Sequence, residues 1–117
     1  MVFEWKGQEQ FHRVPKLEPG PPNVYFSDVF SVPKDASNPL TASLFLLEKL
    51  DKPEPAPKYA YDETGVVLQG ELHIVDEKGN QAKLLPGDTF FVHRGSTITF
   101  STPRFAVAYK AASRHAH

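Results

Sequence analysis

Proline restricts this chain more than any other residue. There are 11 prolines in 117 residues, and Pro15, Pro19, Pro21, Pro22, Pro33, Pro39, Pro53, Pro55 and Pro57 all fall in the first half. The proline ring fixes φ and removes the backbone donor, so it breaks helices and is kept out of central strands. No uninterrupted helix of ordinary length fits ahead of Pro39. The run Pro19-Gly20-Pro21-Pro22 predicts a rigid bend or a polyproline spacer. Asn23 to Val32, rich in Val, Tyr and Phe, then reads as a strand. Leu44 to Leu50 has the apolar content of a short helix. Pro39 and Pro53 box it in, so a buried strand is expected there.

The second half carries a clearer rhythm. Tyr59 to Leu68, Glu71 to Val75, Gln81 to Leu85, Thr89 to His93, Thr97 to Ser101 and Phe105 to Lys110 are short runs of strand character. Turn signals separate them at Gln69-Gly70, Lys78-Gly79-Asn80, Pro86-Gly87-Asp88, Arg94-Gly95-Ser96 and Thr102-Pro103. Many short strands at this spacing predict a single all-β sandwich or barrel. The expected organisation is a proline-rich arm and edge strand over residues 1–39, a core over 40–110 and a short tail over 111–117.

Composition narrows the function classes. Hydrophobic residues make up 40% and charged residues 23%, which supports one folded core. The 13 basic and 14 acidic residues give a net charge of -1. Nucleic-acid binders show a basic excess or stripe, so no nucleic-acid partner is expected. No apolar run approaches the ~20 residues of a membrane span, and residues 1–10 show no apolar signal-peptide core. With no cysteine, disulfides, thiolate catalysis and cysteine-based metal sites are excluded. A cytoplasmic location is the simplest expectation.

Two stretches resemble the signature motifs of the cupin family. The first cupin motif closes on a glutamate, six residues and a glycine. The run Tyr61-Asp62-Glu63-Thr64-Gly65-Val66-Val67-Leu68-Gln69-Gly70 is similar to that closing part. The second motif carries Pro-x-Gly, and Pro86-Gly87-Asp88 through Ile98 resembles it. The resemblance extends from about Leu40 to Lys110. Among cupins the chain most resembles the small ethanolamine-utilisation EutQ-type proteins. The resemblance implies a double-stranded β-barrel, or jelly roll, of the RmlC-like kind, and commonly a homodimer. An apolar edge along Val24 to Val32 would suit such a dimer.

The sequence departs from the family at its metal ligands. The cupin His-x-His would fall on Pro57 and Tyr59, or on Ala56 and Lys58, and the histidine of the second motif would fall on Ile98. Only the glutamate, Glu63, matches. Imidazole is the usual ligand for transition metals in such barrels, so neither a metal nor another cofactor is expected. If a metal did bind through non-standard ligands, Glu63, His73 and His93 would be the first residues to examine. His115-Ala116-His117 has ligand spacing, but it lies where chains are usually unpinned.

Strand parity then outlines a pocket. Tyr59, Tyr61, Glu63 and Val67 share one face, and the resemblance makes that face the barrel interior. Ile98 and Phe100 would face them. Apolar surroundings disfavour the charged form of a carboxylate, which suits general acid–base work near neutral pH. The candidate catalytic residues are therefore Glu63, with Tyr61 as its hydrogen-bonding partner and His93 at the barrel mouth. Tyr59, Phe91, Ile98 and Phe100 are the candidate substrate-binding residues.

The family resemblance implies a wide range of reactions. Without a redox metal, oxygen chemistry is disfavoured. Metal-independent proton transfer of the lyase, isomerase, dehydratase or cyclase type remains, acting on a compact small molecule. An acetate-kinase-like activity is attributed to the EutQ group, but this chain has no glycine-rich phosphate cradle of the P-loop kind. The competing reading is a non-catalytic metabolite-binding or scaffold cupin. A barrel plugged by Tyr59, Phe91 and Phe100 would favour the scaffold, and an open cavity floored by Glu63 would favour catalysis.

Overall fold

The computed structural model describes residues 3–117. Its eight strands are β1 (Val24–Ser31), β2 (Thr41–Glu48), β3 (Glu63–Gly70), β4 (Leu72–Asp76), β5 (Gln81–Leu84), β6 (Thr89–Val92), β7 (Ile98–Ser101) and β8 (Phe105–Ala112). All the strand pairings are antiparallel. One sheet has the order β1-β2-β8-β3-β6 and the other β5-β4-β7. The two face each other as a jelly roll, the all-β architecture expected. Leu44 to Leu50 is indeed largely strand, the end of β2. The described helical structure is a six-residue 3-10 turn at Gln8–Arg13, short enough to fit ahead of Pro15. No helix among the described residues is long and apolar enough to cross a membrane.

The prolines work at sheet edges. Residues 15–17 lie against β1: Leu17 N donates to Val24 O at 2.9 Å, and Phe26 N donates to Pro15 O at 3.0 Å. The arm thus caps part of the edge that was expected to seek a second copy. A further extended segment runs along β7. Ala56 N donates to Ile98 O at 2.8 Å, and Pro55 bridges Thr99. Ala56 turns its N–H toward β7, so the N–H positions of Pro55 and Pro57 face away. Proline removes those donors and leaves no ladder for another chain to extend.

The core fills the space between the sheets. Phe45, Leu47, Val67, Leu72, Leu84, Ala106 and Ala108 form its main cluster. Tyr59, Val92 and Ile98 form a second. On β8 exposure alternates strictly, with Ala106, Ala108, Lys110 and Ala112 buried and pointing inward. That period-2 pattern is what a strand with one buried face requires. A bulge between Val67 and Gln69 on β3 shifts the register against β8 and turns Leu68 outward.

The chain end is not the loose tail expected from its sequence. β8 continues through Ala111 and Ala112, and Arg114 is buried. Its guanidinium grips Asp28 of β1 with two hydrogen bonds, at 2.7 and 3.1 Å. The His117 amide adds a third bond to the same carboxylate at 3.0 Å, and the His115 ring bonds Ala36 O at 3.1 Å. A paired arginine fork outweighs the usual fraying of a terminus.

Gly70 ends β3 with φ +77°. A side chain there would run into the Phe105 carbonyl. Gly79 also has a positive φ, +84°, but its surroundings are open. Both Gly→Ala changes incur the left-handed backbone cost of about 1–2 kcal/mol, and only Gly70→Ala adds a backbone clash. Urea denaturation is expected to show Gly70→Ala clearly the more destabilising. Equal losses would show that the approach of β8 to Gly70 is not tight.

Candidate functional site

The site is built from the extended segment ahead of β3 and from the inner faces of β3 and β8. The segment does not join β3 as one strand from Tyr59, as its sequence suggested, because β3 begins at Glu63. Tyr59 is instead clamped from both sides. Its N–H donates to Ser96 O at 2.9 Å, and its carbonyl accepts from Gly95 N at 2.8 Å. The clamp turns the Tyr59 ring inward against Val92 and Ile98.

Glu63 is the first residue of β3 and is 3% exposed. It stands opposite Ala112 on β8, while Lys110 stands opposite Gly65. Glu63 and Lys110 are therefore diagonal neighbours on the inner face, within reach of a long side chain. Lys110 Nζ lies 3.5 Å from Glu63 Oε2. The Tyr59 hydroxyl donates to the same oxygen at 2.8 Å. Lys110 is itself 3% exposed, with Nζ 3.7 Å from the centre of the Phe45 ring and 4.3 Å from that of Phe100.

Electrostatics follow from these contacts. Burial pushes the Lys110 ammonium to a lower pKa, and the neighbouring Glu63 carboxylate only partly restores it. Burial first, and then the Glu63 charge, push the Tyr59 phenol far above its ordinary range. Tyr59 is thus a neutral donor to Glu63. A buried cation and anion are tolerable when they face each other and their remaining valences are met. Here one phenol and two aromatic faces meet them.

A cavity of about 750 Å³ opens onto this group. Glu63, Lys110 and Tyr59 line it together with Phe45, Leu47 and Phe100. Val24 and Phe26 of β1 close one side. The walls are mostly apolar, and the polar groups are few and convergent, the usual design of a small-molecule site.

The structure gathers some of the expected site residues and separates others. Glu63, Tyr59, Tyr61 and Phe100 all line the cavity. The phenol on Glu63, however, is that of Tyr59. Tyr61 packs tilted against Tyr59, with ring centres 5.4 Å apart, and lies 5.5 Å from the Arg114 guanidinium. Ile98 is buried beside Tyr59 and supports it rather than lining the cavity. Phe91 and His93 do not reach the cavity. Val92 pairs with Glu63 and points inward, so its neighbours on either side must point outward. Phe91 is 55% exposed and packs tilted against the His93 ring, centre to centre 4.7 Å.

Lys110 is the site residue that sequence reading missed. The signal was present in the alternation Ala106, Ala108, Lys110, Ala112. A lysine in the parity of three alanines is a buried lysine, and the small neighbours leave room for its stem.

The residues do not fit a metal of the kind the cupin resemblance implies. Imidazole ligands are replaced by a phenol and by Ile98, and an ammonium already faces the one matching carboxylate. A second cation beside that ammonium would be repelled. Glu63, His73 and His93 do not converge: His73 bonds Glu71 in the smaller sheet, and His93 faces outward. Among the described residues no group of three His, Asp or Glu is placed to hold an ion.

Two stability measurements check this geometry. Lys110→Met strands a buried carboxylate, so it should cost about 3–5 kcal/mol. The Lys110→Met/Glu63→Gln double variant should recover most of that loss, since a neutral pair needs no counter-charge. Strictly additive losses would show that the two side chains do not interact. Asp28 gives the pH test. Burial raises its pKa, but the Arg114 fork and the His117 amide outweigh burial and hold it below the ordinary carboxylate value. Its stabilisation is therefore complete above the unfolded value of about 3.9 and is lost as pH falls through the lower folded value. Thermal melts of Asp28→Asn should lose this part of the acid sensitivity, and an unchanged acid profile would contradict the assignment.

Comparison with known proteins agrees with this geometry. Residues 55–109 match the family described as the EutQ-like cupin domain. A 43-residue stretch is 46% identical to the acetate kinase EutQ of Salmonella typhimurium, covering 37% of this chain and 18% of that protein. The crystal structure of a putative ethanolamine utilization protein Q from Salmonella typhimurium superposes with a TM-score of 0.73 at 26% identity, covering 88% of this chain and 80% of that one. The EutQ protein of Clostridium difficile gives a TM-score of 0.70 at 24% identity, over 86% and 70% of the two chains. With the jelly roll, the matching glutamate and these similarities in place, the chain has the cupin fold, and its residues 55–109 resemble the EutQ-like cupin domain.

Proposed function

We propose that this cupin binds a compact, largely apolar small molecule in its cavity and catalyses proton transfer on it without a metal. The supporting observation is the cavity floor: a buried carboxylate shared by a phenol donor and a lysine, under about 750 Å³ of open space. A scaffold barrel has no need of open volume above a buried ion pair. Glu63 is the acid–base group, because its carboxylate lines the cavity and can take up and return a proton. Tyr59 takes the orienting role first expected of Tyr61, and Tyr61 forms part of the wall. Lys110 stabilises negative charge that develops on the substrate as its proton leaves. Phe45, Leu47 and Phe100 hold the apolar part. The reaction class is lyase, isomerase or cyclase chemistry, in which a proton moves but no net oxidation occurs. The kinase name of the Salmonella relative is not carried over, since the match spans less than a fifth of that protein.

A homodimer belongs to this proposal. Tyr109 and Phe91 are exposed on the outer face of the larger sheet, where each is paired across to β3, at Val66 and Thr64 respectively. An apolar patch of this kind suits a second copy. Light scattering at micromolar concentration should give twice the chain mass, and a monomer would contradict this part.

Proton transfer can be tested before the substrate is identified. A panel of small carbonyl compounds and hydroxy acids is incubated with the protein in D₂O, and solvent deuterium incorporation is followed by NMR. Glu63→Gln should slow incorporation by ~10²–10⁴-fold with the fold intact. Tyr59→Phe should cost about 1.5–3 kcal/mol of barrier, the worth of one hydrogen bond to a charged group. Full activity in folded Glu63→Gln protein would remove Glu63 from the role.

A further inference from the structure

We propose that Lys110 is a nucleophile that forms an imine with an aldehyde or ketone held in the cavity. The inference rests on the proton-transfer reading above and supplies its substrate class. Lys110 is one of the residues lining the cavity, and the bound carbonyl is set against its amine. Its surroundings are those of an amine kept from water: the rings of Phe45 and Phe100 lie within 4.3 Å and Glu63 is 3.5 Å away. Desolvation in an apolar pocket is a recognised means of activating lysine toward carbonyls. Burial here acts in that direction, lowering the pKa of the ammonium.

The chemistry balances with the groups present. Lys110 first passes its extra proton to Glu63, leaving a neutral amine beside a carboxylic acid. The nitrogen lone pair then forms a C–N bond to the carbonyl carbon, and the C–O π pair moves to oxygen. That oxygen takes the proton from Glu63, and the carboxylate recovers one from nitrogen to give a neutral carbinolamine. Glu63 returns its proton to the hydroxyl, water leaves, and the nitrogen lone pair forms the C=N bond of an iminium ion. Nothing is oxidised or reduced. The cationic nitrogen acidifies the adjacent C–H, and the Glu63 carboxylate can then remove that proton.

The test is reductive trapping of the full chain with 2-butanone or cyclohexanone and sodium borohydride, followed by peptide mass spectrometry. Simple ketones condense poorly with solvated lysines, so selectivity is the readout. Lys110 should gain one alkyl group about tenfold or more faster than the exposed Lys49, Lys52, Lys78 and Lys83, because burial enlarges its free-amine fraction. In Glu63→Gln protein, labelling at Lys110 should slow although more of its amine is free, because the carboxyl that moves protons through the carbinolamine is gone, while surface labelling is unchanged. An unlabelled Lys110, or one labelled no faster than the surface lysines, would overturn the proposal, and the wild-type result decides this even if the variant fails to fold. Deuterium incorporation without an adduct would overturn the imine and leave proton transfer standing. An adduct without deuterium incorporation would do the reverse.

Discussion

The interior of this barrel is organised around a lysine and a glutamate that are almost fully buried against each other beside the cavity. Either charge alone at that depth would cost several kcal/mol, so each side chain is tenable only while the other is present. The fold supplies the conditions. β3 and β8 are neighbours in register, which sets Glu63 and Lys110 on one diagonal. The alanines along β8 make room for the lysine stem, and Phe45 and Phe100 present their faces to its head. The Tyr59 clamp on Ser96 and Gly95 delivers the one hydrogen bond that the carboxylate draws from outside the sheet. The pair's contribution to stability is modest at best, since buried ion pairs are often no better than apolar replacements.

The departure from the family's metal ligands takes on physical sense in this light. The glutamate of the first motif is retained, and its positive partner is an ammonium on the same sheet. A covalently tethered cation needs no uptake and has a fixed position. It also offers what a metal ion does not, a lone pair when deprotonated.

Much of the fold was legible from local signals. Turn pairs such as Lys78-Gly79 and Pro86-Gly87 mark strand ends, and the prolines exclude helices from the first half. Pro39 and Pro53 decided correctly between strand and helix at Leu44 to Leu50, where periodicity alone was ambiguous. The site was only half legible. Glu63 and Phe100 followed from parity and resemblance. The exchange of Tyr61 for Tyr59 did not, because the residues before Glu63 leave the strand and their orientation is set by backbone bonds to a distant turn. Phe91 and His93 were placed in the pocket through their resemblance to a motif. The parity of Val92, which must point inward opposite Glu63, excludes both. The docking of Arg114 on Asp28, 86 positions apart, is a long-range pairing that no local pattern announces.

The protonation state of Lys110 is the most direct readout of this pair, and side-chain NMR follows it. With ¹³C,¹⁵N-labelled lysine, the Cε and Nζ shifts of Lys110 can be assigned by comparison with Lys110→Met and followed through a pH titration. We expect Lys110 to titrate below the free-lysine value of about 10.4, because burial disfavours its ammonium more than Glu63 supports it. In Glu63→Gln protein the titration should move lower still, since the supporting charge is gone. A Lys110 that titrates at or above the free-lysine value would mean that burial does not outweigh the Glu63 charge, and one that ignores Glu63→Gln would mean that the pair at the centre of this structure does not exist in solution.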